Sequence, residues 1–88
     1  MAERRVVIAS RVGLHARPAA QFVQAVAKAG RPVTIAARGG PAVDASSILN
    51  VLTLNAASGD EVVLNADGEG ADSALDGLAA LLAQDLDA

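Results

Sequence analysis

The sequence predicts an α+β fold, an antiparallel sheet with helices packed on one face, in the order β-α-β-β-α-β-α. Two observations carry this expectation. The hydrophobic period switches between two and about 3.6 residues along the chain. Turns rich in Gly, Pro, Asn and Asp separate the segments. A third observation bounds the size: 88 residues with 25 larger apolar side chains beside 21 alanines supply one thin core of two layers. Residues 1–88 are therefore expected to form a single domain.

The first strand is expected over Arg4–Ser10, with Val6 and Ile8 on one face and Val7 on the other. Ala16–Ala29 reads as a helix with Ala19, Val23, Val26 and Ala27 as its apolar stripe and Gln21, Gln24 and Lys28 towards water. Gly30 stops it. Pro32 opens a strand in which Val33, Ile35 and Ala37 alternate, and Gly39-Gly40-Pro41 turns the chain into a short strand around Ala42 and Val43. Ser46–Leu54 is apolar nearly all round and suits a short helix, with Asp44, Ser46 and Ser47 each able to cap it. Asn55 can take positive φ at its end. Ser58-Gly59-Asp60 leads into a strand over Glu61–Ala66, and Asp67-Gly68-Glu69-Gly70 turns into the last helix. That helix places Ala71, Leu75, Leu78, Leu82 and Leu86 on one stripe, with Asp72, Asp76 and Asp85 off it.

Composition excludes whole classes of function. With no Cys and one His, His15, no thiolate or paired-histidine metal site is expected, and no cofactor is implied. Phe22 is the one aromatic residue, too few for a surface that stacks nucleic-acid bases. No apolar run approaches the roughly 18 residues of a membrane span, and Val6–Ala9 is too short for a signal peptide. A soluble, cytoplasmic monomer is expected. The net charge of −3 conceals a split, because all seven basic residues fall before residue 44 and nine of the ten acids from Asp44 onward. Such a chain is expected to be dipolar and to meet an acidic partner on its basic side, rather than a nucleic acid.

Chemistry concentrates in Val12-Gly13-Leu14-His15-Ala16-Arg17-Pro18. Pro18 is tolerated in the first turn of a helix, which sets the helix start near His15 or Ala16. The imidazole would then lie beside the free amides of Ala16 and Arg17, where an anion is favoured, with the Arg17 guanidinium within reach. Both disfavour imidazolium, so the ring is expected neutral and nucleophilic at pH 7. A neutral imidazole next to a ready anion site suits a phosphoryl acceptor. By physics alone, a lone His at a helix start serves equally as a cap or a solvated loop residue.

The run Gly13-Leu14-His15-Ala16-Arg17-Pro18-Ala19 resembles the active-site signature of HPr, the histidine phosphocarrier family of the phosphoenolpyruvate-dependent sugar phosphotransferase system. The likeness extends over the chain in length and element order. It implies an open-faced β-sandwich with a four-stranded antiparallel sheet and three helices. It further implies that His15 takes a phosphoryl group on Nδ1 from phospho-enzyme I and passes it to the IIA domains of sugar permeases, with Arg17 contacting the phosphate. A carrier of this kind is a substrate of enzyme I and not itself an enzyme.

The same resemblance assigns a regulatory phosphorylation to the serine that precedes an Ile and opens the short helix. Here that is Ser47, before Ile48-Leu49, although Ser46 is adjacent. HPr kinase/phosphorylase and a transcriptional regulator are the partners it would imply. Read as residues alone, the serine pair only caps a helix. Ile48, Leu49 and Leu52 match the family's apolar docking patch next to the active His, but suit a core equally well, and Arg17 and Lys28 are expected around His15 as the basic part of the docking surface. Asn50 and Asn55 stand where many relatives have Gly, and Ala16 where some have Thr. The alternatives are an HPr-like carrier of a non-sugar phosphorelay and a regulatory binding module; His15 with Arg17 argues against the latter.

Overall fold

The computed structural model describes residues 2–9, 16–37, 39–54, 57 and 59–83. Its elements are β1 (Ala2–Val7), α1 (Ala16–Ala29), β2 (Val33–Ala37), β3 (Val43–Asp44), α2 (Ile48–Thr53), β4 (Glu61–Ala66) and α3 (Ala71–Leu82). The four strands form one antiparallel sheet in the order β1-β4-β2-β3. β4, last of the strands in sequence, therefore enters the middle and is hydrogen-bonded on both sides.

Alternation along β4 sets the two faces of the sheet. Val62, Leu64 and Ala66 are buried under the helices, while Glu61, Val63 and Asn65 are half-buried on the other face. Register extends the buried rows: Val6 and Ala37 flank Val62, and Val33 and Ala2 flank Ala66. Between them Leu64 is flanked by Ile35 and by Arg4, the one charged residue on that face.

Arg4 is accommodated because β1 is an edge strand and α3 lies over it. Its Nε donates to Asp76 Oδ1 at 2.7 Å and its Nη2 to Asp72 Oδ1 at 3.1 Å. The Asp76 hydrogen bond is the largest cause raising the guanidinium pKa, and the Asp72 bond adds to it. β1 starts earlier than the expected Arg4–Ser10 and ends at Val7. The ladder stops there because β4 begins opposite, at Glu61. Beyond it, Ile8 bonds to the 59–60 turn instead, its N–H to Asp60 O and its carbonyl from Gly59 N, each at 2.9 Å. Ser10 lies outside the described residues.

The core stripe of α1 is Ala19, Phe22 and Val26, all buried, with Val23 half-buried. Ala27, expected inside, is exposed, and Phe22, left out of the expected stripe, is fully buried. On α3 the expected Ala71, Leu75, Leu78 and Leu82 are all buried, while Asp85 and Leu86 lie outside the described residues. Gly70 caps α3 at φ 84°, a left-handed backbone angle that calls for glycine. Among the described residues no helix is long and apolar enough to cross a membrane.

Candidate functional site

α1 begins at Ala16, immediately after His15, and Pro18 falls in its first turn. His15 lies outside the described residues, as does Gly13. No acidic residue occupies the first turn of α1, whereas α3 carries Asp72 there. The positive end of α1 is thus left without a neutralising side chain of its own. Arg17 is exposed beside it.

The fold consumes much of the basic charge seen in the sequence. Arg4 is bound to Asp72 and Asp76, Arg5 Nε sits 3.5 Å from Glu3 Oε1, and Arg31 Nη1 donates to the Asp67 carbonyl at 3.4 Å. Arg17 and Lys28 have no carboxylate partner among the described residues. They stand eleven residues apart on α1, about 20° apart around the helix and about 16 Å along its axis. Lys28 is therefore in the last turn of α1, at the far end from His15, on the same side as Arg17. A partner must span the helix to touch both.

α2 is shorter than the Ser46–Leu54 stretch suggested, and Ser47 is its N-cap, its Oγ accepting from Asn50 N at 3.4 Å. Val51 alone is buried on α2. Leu52 packs in part against the core, while Ile48 is 37% and Leu49 72% exposed. Of the three apolar residues singled out in the sequence, Leu49 and Ile48 thus face solvent and Leu52 is shared with the core. Asn55 lies outside the described residues.

Ser46 has a different role from its neighbour. Asp44 Oδ1 accepts both the Ser46 hydroxyl at 2.7 Å and the Ser46 backbone N–H at 2.9 Å. These two bonds, the hydroxyl first, hold the Asp44 carboxyl below its ordinary value of 3.8. A depressed folded pKa stabilises the fold above that ordinary value, and the stabilisation is lost as pH falls through the folded pKa. Asp44 and Ser46 also border a cleft of about 590 Å³ between the end of α1 and the β2–β3 hairpin, which Arg31 and Val43 help to line.

With this geometry in place, comparison with known proteins decides the family. Residues 2–84 match the family model described as "PTS HPr component phosphorylation site". The chain belongs to the HPr family. Phosphocarrier protein HPr of Streptomyces coelicolor is 53% identical over 87 residues, covering 99% of this chain and 94% of that protein. HPr-like protein Crh of Bacillus subtilis is 36% identical over 86 residues, 98% of this chain and 100% of that protein. The crystal structure of HPr from Bacillus anthracis superposes with a TM-score of 0.85 at 33% identity, covering 92% of this chain and 95% of that one. The four-stranded antiparallel open sheet with three helices is thus the HPr fold. HPr proteins are phosphocarriers of the phosphotransferase system and not enzymes.

Sequence reasoning missed two features near the site. One is the consumption of Arg4 by α3, which no spacing rule reveals because the partners lie 68 and 72 positions away. The other is the Asp44–Ser46 contact. Its signal was present as a Asp-x-Ser run, a pattern in which an Asp side chain bonds the backbone two residues on.

Proposed function

We propose that this HPr protein accepts a phosphoryl group from phospho-enzyme I on Nδ1 of His15 and delivers it to IIA domains of sugar permeases. The observation that carries the reading is the run Gly13–Ala19 leading directly into α1, whose first turn lacks an acid and bears exposed Arg17. In this reading the imidazole nitrogen attacks phosphorus, and the transferred group settles against the amides of Ala16 and Arg17 and the Arg17 guanidinium. A helix terminus contributes about 0.3–1 kcal/mol to such an anion, enough to tune a phosphohistidine without trapping it. The carrier works as a cytoplasmic monomer. Discharge of the phosphorylated chain onto a purified sugar-permease IIA domain tests the reading. Failure to discharge there, with discharge onto a IIA domain of another phosphorelay, would favour the non-sugar alternative.

Arg17→Ala removes one charge-assisted contact, of the order of 1.5–3 kcal/mol, and is expected to slow transfer about tenfold or more. Stopped-flow or quench measurement of transfer from phospho-enzyme I checks this. A rate within about twofold of the parent would show that Arg17 does not reach the phosphate.

Docking is assigned to the exposed Ile48 and Leu49, the shared Leu52, and the cations Arg17 and Lys28 along α1. Ser47 is the regulatory phosphorylation site in this reading, written by HPr kinase/phosphorylase and read by a transcriptional regulator. Ser47→Asp places a negative charge at the edge of that surface while still capping α2. The KM of enzyme I for this variant is expected to rise severalfold with kcat unchanged, and the rise to shrink as salt screens the charge. An unaltered KM would leave Ser47 as a cap only.

A further inference from the structure

We infer that Asp44 decides which of two adjacent serines takes phosphate, holding Ser46 back and leaving Ser47 as the acceptor. The inference rests on the serine regulation proposed above. Exposure alone would give the opposite order, since Ser46 is exposed and Ser47 half-buried.

The Asp44 carboxylate reverses that order. Its Oδ1 receives both the hydroxyl and the backbone N–H of Ser46, at 2.7 and 2.9 Å. The turn cannot swing away easily, because Ala45 between them is buried and donates its N–H to Val33 O at 2.9 Å. Ser47 N closes the same turn onto Asp44 O at 3.3 Å. With its pKa held low, Asp44 is ionised at neutral pH. The Ser46 proton therefore points at a fixed anion, and phosphate on that oxygen would replace a hydrogen bond by a contact between anions. Ser47 Oγ instead receives the N–H of Asn50, which leaves its own proton without an acceptor among the described residues.

The step itself is a phosphoryl transfer from a nucleoside triphosphate. The bond from Pγ to the β–γ bridging oxygen breaks as the bond from Ser47 Oγ to phosphorus forms. The nucleoside diphosphate leaves, and the hydroxyl proton passes to a base on the kinase. At Ser46 the incoming triphosphate and the product dianion would both meet the Asp44 charge.

Asp44→Asn isolates the charge, since the amide oxygen can still accept from Ser46. The full chain, its Ser47→Ala variant and the Ser47→Ala/Asp44→Asn double variant are incubated with the family's serine kinase and ATP, and phosphate is located by tandem mass spectrometry. Phosphate is expected on Ser47 in the parent and barely on Ser46 in Ser47→Ala. The double variant should modify Ser46 about fivefold faster or more. A kinase-independent arm compares thermal midpoints: Ser46→Asp should lower Tm, and adding Asp44→Asn should recover it. Ser46 modified as fast as Ser47 in the parent, or a Ser46 rate that Asp44→Asn leaves unchanged or lowers, would overturn the inference alone. No phosphate on either serine of the parent would overturn the serine regulation and the inference with it.

Discussion

His15→Ala is expected to lose phosphoryl transfer from phospho-enzyme I completely, with an unchanged far-UV spectrum and melting temperature. The two halves of this expectation have separate causes. Transfer fails because His15 is the one imidazole in the chain, and no Cys is present to take over as nucleophile. The fold persists because the core formed by the described residues is built from β-strand rows and the buried faces of α1 and α3. Radiolabelled phosphoenolpyruvate with enzyme I, read by gel and by acid treatment, checks the first half. Acid-labile label on the variant would remove His15 from the mechanism.

Phe22→Ala has the largest expected effect on stability. Phe22 is the one aromatic residue in the chain and is completely buried. Replacing a buried Phe by Ala costs about 3–5 kcal/mol, from lost burial and the cavity left behind. At about 0.05–0.15 kcal/mol per residue, a chain of 88 residues has a total stability of about 4–13 kcal/mol, so this one change removes a large part of it. Thermal unfolding should show a midpoint lower by about 12 °C or more, since each kcal/mol moves Tm by about 4–8 °C in a domain of this size. Ala27→Ser, five residues on and on the exposed side of α1, should leave it nearly unchanged. A Phe22→Ala shift below about 4 °C would contradict the packing described.

These two residues also show what the sequence makes legible. α1 and β4 take the bounds that periodicity and turn residues predict, Ala16–Ala29 and Glu61–Ala66. Strict alternation in β4 and a Pro18 start with a Gly30 stop leave little freedom there. The buried stripe of α1 differs from the expected one because alanine, abundant on every side of that helix, carries almost no directional signal. Phe22 settles the orientation by its volume, three residues after Ala19 and four before Val26. β1 begins at Ala2 rather than Arg4, because the polar run Glu3-Arg4-Arg5 carries no period that marks where a strand starts. Pairing with the central β4 and the α3 aspartates make that polar run a strand. The bounds and buried face of α2 are not legible because six residues give fewer than two turns of period, and exposed Leu49 defeats any rule that apolar means buried.

The candidate site divides in the same way. The Gly13–Ala19 run is local in sequence and names its residues directly. The reach of the proposed docking surface is not local: seven basic residues suggest a broad positive half, yet Arg4 is occupied by aspartates across the fold and Arg5 by Glu3 on its own strand. Arg17 and Lys28 remain as the cations of α1 with no carboxylate partner among the described residues, and only the helix geometry shows that they share a side at opposite ends.

Incubation of the full chain with phosphoenolpyruvate and enzyme I, followed by intact mass and peptide mapping at alkaline pH, tests the central claim most directly. The account predicts a gain of one phosphoryl group, stable in alkali, lost in acid, and located on His15. An unmodified chain beside an enzyme I that charges a known HPr, or an acid-stable phosphate on another residue, would contradict it.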